Sequence, residues 1–177
     1  MTSRRTIALA AIAATATALA VTVAVRAAGD KVAFPEKFGV LYATVDRDDN
    51  KQYRELYASS QAAIDAAKAG KPLPNGTVLT LVQYAAQLDD KGIPVKDTNG
   101  RFIKTDKILG YTVMEKRTGW GVEYPDDIRN GEWEYQAFTA GRKPNPKANL
   151  ANCFKCHKPL DKQDFVFSYD RMKSAMK

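Results

Sequence analysis

Cys153-Phe154-Lys155-Cys156-His157 places two thiols and an imidazole within five residues, near the end of a chain of 177 residues. Thiols three residues apart lie about one helical turn from each other. Each can therefore add across one of the two vinyl groups of a haem, while the adjacent imidazole is aimed at the iron. Other chemistries fit less well. A structural zinc takes about four N or S ligands, whereas Cys153, Cys156 and His157 are the only Cys and His residues of the chain. A thioredoxin-like redox pair opens a helix after a strand in a βαβ unit, but this stretch follows the Pro-bearing run 141–146 and no βαβ pattern precedes it. A Cys153–Cys156 disulfide would close a tiny loop and add little stability. The spacing points to one covalently attached haem c, with Cys153 and Cys156 as thioether donors and His157 as axial iron ligand.

The lone histidine says more. Bis-His ligation within one chain is impossible, so the sixth iron position falls to Met, Lys, water, a gas or nothing. The chain has four methionines. Met1 belongs to the leader, Met172 and Met176 sit in a polar tail, and Met114 falls on an expected strand, where it reads as a core residue. Electron-transfer cytochromes c carry the motif near the N-terminus and the Met ligand far downstream; this chain inverts that order. A five-coordinate or weakly ligated haem is the expectation.

The elements that must position this motif can be read from pattern. Residues 38–45 (FGVLYATV) read as a strand. The cluster 46–50 (DRDDN) offers N-caps to a following helix, and apolar residues recur at helical spacing from Lys51 to Ala69 until Gly70 and Pro72 stop them. That span is the one long helix expected. Strands follow at 77–86, 109–117 and 132–139, separated by Gly- and Pro-bearing connections, with a short helix at 149–157 and a last strand at 165–169. The fold class is α+β: an antiparallel β-sheet with one long helix and short helices around a C-terminal c-type haem.

Composition agrees with a soluble domain: 45% hydrophobic, 27% charged. Residues 1–27 read as a signal peptide, with Arg4-Arg5 before an uncharged run from Thr6 to Val25 and small residues at Val25 and Ala27 ahead of a cleavage site. An uncleaved membrane anchor is the other reading, since about 20 apolar residues can span a bilayer. Either way the domain at 28–177 is placed outside the cytoplasm, where thioether haem attachment occurs; periplasmic is the expected location. The leader carries three Arg and no acid, so the net charge of +7 falls to +4 without it. This mild excess suits an acidic redox partner and excludes the dense basic stripe of a nucleic-acid binder.

A C-terminal CxxCH behind a β-rich domain resembles the cytochrome P-460 and cytochrome c′-beta family over most of residues 38–173. The matching stretches are YATVD with NKQYRELY, LPNGTVLTLVQY, LGYTVMEKR, NGEWEYQAF and ANCFKCHKPLDKQDFVFSYDR. The resemblance implies a homodimer and a pentacoordinate His-ligated haem c whose distal side lies against sheet residues. In the hydroxylamine-oxidising members a strand lysine is bonded to the haem edge. Leu81 occupies that place here, with Thr80 and Val82 as neighbours, and no lysine lies between Lys71 and Lys91. The distal acid of that chemistry maps to Thr112 or Met114, with Glu115 offset. The resemblance thus implies binding of small gaseous ligands such as NO and CO, or single-electron transfer. The alternative is oxidation of hydroxylamine or a related nitrogen compound, using a lysine from elsewhere such as Lys71 or Lys91.

Other residues admit two readings each. Leu79 and Leu81 share a strand face, as plain core or as an apolar distal pocket that hinders polar ligands. Tyr53, Tyr57, Tyr84, Trp120, Trp133 and Tyr135 read as core or haem-packing aromatics. Arg101, Arg117 and Arg129 are surface charges or propionate partners. Lys155 and Lys158 flank the haem edge, as solvated charges or as steering groups for the redox partner.

Overall fold

The computed structural model describes residues 31–175, so the expected leader at 1–27 and Met176 lie outside the described residues. Five strands form one antiparallel sheet in the order β1-β2-β3-β4-β5: β1 Val40–Arg47, β2 Gln52–Ala58, β3 Val78–Ala86, β4 Lys104–Lys116 and β5 Trp133–Thr139. Each strand pairs with its neighbour in sequence, as short antiparallel connections allow. Helices α1 (Gln61–Lys68), α2 (Ala151–His157) and α3 (Tyr169–Lys173) complete the α+β architecture, and the sequence expectation of that class holds. No helix of the described residues is long and apolar enough to cross a membrane.

The expected long helix over 51–69 is corrected. Its first half is β2, an interior strand paired with β1 on one side and β3 on the other. Tyr53, Leu56 and Tyr57 satisfy a helical period, but they satisfy a period of two as well. Tyr53, Glu55 and Tyr57 face one way; Arg54, Leu56 and Ala58 face the other. The cluster 46–50 therefore ends β1 and turns the hairpin rather than offering a helix N-cap. A 3₁₀ turn at Asp48–Asn50 ends on Lys51 at φ 54°, a left-handed residue that returns the chain as β2. Pairing on both edges is a tertiary gain that local periodicity cannot weigh. The helix begins only after Ser59 and Ser60. Ser59 Oγ accepts from Val78 N at 3.0 Å, while Ser60 Oγ caps Ala63 N at 3.4 Å.

The register sorts side chains into rows. One face carries Ala58, Leu79, Met114 and Tyr135 across four strands, then Leu56, Leu81, Thr112 and Ala137 one pleat along. Helices α1 and α3 cover the first row, with Ile64, Ala67, Val166, Tyr169 and Met172 in the same buried cluster. The opposite face carries Val82, Tyr111, Val113 and Phe138 and is roofed by the incoming chain at Val32, Phe34 and Phe38. Phe34 sets its ring edge-on to Tyr111 at 5.0 Å and to Phe138 at 5.2 Å. Met172 is 0% exposed, so it belongs to the core rather than to a polar tail.

The expected strand at 165–169 is also corrected. Asp164 and Phe165 both adopt left-handed backbone, at φ 53° and 59°, and Tyr169 already begins α3. Two consecutive residues at positive φ turn the chain sharply instead of extending it.

Candidate functional site

Helix α2 carries the thiols and the imidazole. Asn149 Oδ1 accepts from Ala151 N at 3.1 Å in a turn just ahead of the helix, whose N-cap residue, Leu150, makes no side-chain capping bond. Cys153 and Cys156 are three apart and share one helical face, and both thiols are free. Cys153 is half-buried and burial pushes its thiol up; Cys156 is exposed.

Phe154 anchors the helix. It is buried between Tyr124 and Tyr135, with ring centroids at 4.9 and 4.8 Å in edge-on geometry. Asn130, fully buried, donates to the Phe154 carbonyl at 3.1 Å and to the Tyr135 hydroxyl at 2.9 Å. The helix thus sits against β5 with its backbone pinned as well as its side chain.

His157 is half-buried, and burial lowers its pKa below the ordinary value despite its hydrogen bond. Its Nδ1 lies 2.6 Å from the Phe165 carbonyl. A carbonyl only accepts, so Nδ1 carries the proton and Nε2 presents its lone pair. The ring packs on Tyr135 at 4.9 Å and edge-on to Phe167 at 4.9 Å. Phe167 is 61% exposed, unusual for so large an apolar side chain.

The second sheet row completes the surroundings. Leu79 is 5% exposed and packed in the core row, whereas Leu81, Thr112 and Ala137 are half-exposed beside the buried Leu56. Neither row contains an ionisable group apart from the deeply buried Tyr135, whose hydroxyl burial holds protonated. Glu115 lies on the opposite face, where it accepts from Arg117 at 2.6 Å. A groove of about 590 Å³ borders this region along β1, lined by Tyr42, Ala43, Phe167 and Arg171 among others. That size lies within the range of cofactor pockets, roughly 300–1,000 Å³. Tyr42 is tied to Ser168 at 2.6 Å, and burial pushes its hydroxyl up to about 12.

Of the remaining sequence candidates, Arg101 lines the groove with Phe167, while Arg117 and Arg129 lie outside it. Arg101 pairs with Asp46 at 2.8 Å, Arg117 with Glu115, and Arg129 donates to the Gly131 carbonyl at 3.1 Å. Lys158 is not a free steering charge, since it donates to the Arg129 carbonyl at 2.8 Å and to that of Asp126. Lys155 is exposed, as are Lys71 and Lys91. Sequence reasoning missed Asn130, Lys116, Asp164 and Phe165. Only the left-handed pair 164–165 makes the last three matter, and no Gly or Asn marks that turn.

The donor set fits a haem c: two free thiols on one helical face, an imidazole whose Nε2 has no protein partner, and an aromatic wall at Phe167. Among the described residues no three of His, Cys, Asp and Glu are placed to hold a bare metal ion. The family model described as Cytochrome P460 matches residues 36–168. That span covers all five strands and the CxxCH motif, and it reaches the loop that receives the His157 hydrogen bond. No curated protein matches the chain.

Proposed function

Because the chain belongs to the cytochrome P460 family, a family of haem c cytochromes, we propose that it is an exported mono-haem cytochrome that binds small gaseous ligands such as NO and CO on an open iron face. Cys153 and Cys156 hold the haem through thioethers and His157 supplies the one axial protein ligand. When bound, the haem iron supplies reversible ligand binding and one-electron redox chemistry. The chain's own residues do the rest. Phe165 fixes the imidazole tautomer, Phe154 and Asn130 hold the thiol-bearing helix, and the sheet row Leu56, Leu81, Thr112 and Ala137 lines the distal side.

The observation that carries this reading is the character of those two sheet rows. They offer no lysine to bond a haem edge and no carboxylate to serve as a base, so proton-coupled oxidation of hydroxylamine lacks its groups. An apolar, desolvated wall penalises ligands that need unmade hydrogen bonds and tolerates diatomics. Met114 and Met172, both in the buried core, support a five-coordinate iron. The leader motif and the extracytoplasmic chemistry of thioether attachment support a periplasmic location. Homodimerisation, and electron exchange with an acidic partner near the exposed Lys155 and Cys156, complete the proposal.

The test is a set of titrations on mature holo-protein. Ferrous protein is expected to bind CO and NO, and ferric protein with hydroxylamine is expected to show no turnover. Ferrous protein that ignores CO would mark a six-coordinate electron carrier; steady hydroxylamine oxidation would favour the enzymatic alternative.

A further inference from the structure

The strongest unexplained feature lies behind the proposed axial ligand. Lys116, at the end of β4, and Asp164 form an ion pair at 2.8 and 2.9 Å, and each side chain is only 11% exposed. Asp164 also accepts from Leu73 N at 2.8 Å, so its carboxylate ties the α1–β3 linker and β4 to the loop after α2. The Lys116 ammonium also stands over the Trp133 ring at 5.7 Å, within cation–π range.

What the pair holds is a strained turn. Asp164 and Phe165 are consecutive non-glycine residues at φ 53° and 59°, a conformation that persists where surroundings enforce it. The Phe165 ring rests over Gly131, where an added Cβ would lie 3.1 Å from it. In this turn the Phe165 carbonyl faces back to His157 Nδ1 at 2.6 Å. A hydrogen bond from the far ring nitrogen of a ligating histidine orients the ring and raises its basicity toward the metal.

We propose that Lys116 and Asp164 are positioning residues for the axial imidazole. Their ion pair locks the left-handed Asp164–Phe165 turn, which holds the carbonyl that receives the His157 Nδ1 proton and so sets ligand strength. Lys116 shares its strand face with Met114 and Thr112, so one strand carries both the distal wall and this proximal brace. The inference rests on the haem reading above.

The experiment uses full-length protein matured with haem, as wild type, K116M, D164N and K116R. Two readouts are taken: the iron–histidine stretching band of the ferrous form by resonance Raman, and the midpoint potential. With the brace removed, the Nδ1 hydrogen bond loosens and the imidazole donates less. K116M and D164N are expected to lower the band frequency and favour the ferrous state about tenfold, which is about 59 mV for one electron. K116R, which keeps the charge, is expected to stay at wild-type values. An unmoved band and potential in K116M, or an equal shift in K116R, overturns the inference. Where K116M yields too little holo-protein, K116Q is read by the same criteria. Failure of the haem reading itself looks different, because wild type would then show no iron–histidine band at all.

Discussion

The two faces of the sheet are built on opposite principles. On the face toward the CxxCH helix, the first two rows hold no charged side chain. On the other, Glu55, Glu115 and Glu134 are all buried, each with a built partner. Glu55 accepts from Lys104 and from Tyr57 at 2.7 Å; burial pulls its carboxyl up, and these hydrogen bonds outweigh burial to hold it below the ordinary value. Glu134 accepts from Tyr124 at 3.1 Å. A single residue of offset separates Met114 from Glu115, and period-two alternation sends them to opposite sides. The lesson concerns function: a strand can carry an acid next to the expected place and still deliver none to the site.

The largest effect tests the chemical face. Replacing both Cys153 and Cys156 by Ala is expected to abolish covalent haem, read as loss of haem staining on a denaturing gel; retained covalent haem contradicts the assignment. Next come residues that build this face without touching donor atoms. Phe154→Ala removes the aromatic anchor of α2 and is expected to cost about 3–5 kcal/mol in denaturant unfolding. Leu79→Ala, in the buried row, should cost about 2–5 kcal/mol. Leu81→Ala, half-exposed one pleat along, should cost clearly less while changing the CO association rate. Equal costs for the two leucines, with unchanged CO kinetics, would erase the distinction between core row and distal row.

A smaller effect probes the opposite face through pH. Burial raises the Glu134 carboxyl above its ordinary value, with Tyr124 and Lys31 pulling it back. A carboxyl with a raised folded-state pKa binds more protons folded than unfolded. Its contribution is therefore most favourable below about pH 4 and is lost as pH rises through the folded value. Glu134→Gln removes this dependence. The variant's melting temperature should gain on wild type as pH is raised from about 4 to about 7. A gap that is constant across that range contradicts the buried-carboxylate account.

Much of this was legible in sequence, for physical reasons that differ by segment. The thiols and imidazole stand out in the sequence because haem attachment chemistry would fix both their type and their spacing. Strands β3 and β5 are legible because β-favouring residues run between turn residues, with alternation clearest in β5. Strand β2 reads as helix because Tyr53, Leu56 and Tyr57 serve either period, and what decides is pairing with β1 and β3 on its two edges. Residues 165–169 read as a strand because Phe165, Val166 and Phe167 favour extended backbone locally. The contacts of Asp164 with Lys116 and Leu73, which span 48 and 91 positions, oppose that preference together with the bond from Phe165 N to the Leu160 carbonyl at 2.8 Å.

The central claim is that one haem is held by Cys153 and Cys156 alone, with no lysine bonded to it. Peptide mass spectrometry of the mature protein tests this in one measurement. The account predicts a single haem adduct on the peptide bearing Cys153 and Cys156, with the peptides containing β3, Lys71 and Lys91 unmodified. A haem bridge from that peptide to any lysine-bearing peptide, or no haem on the cysteines, would contradict it.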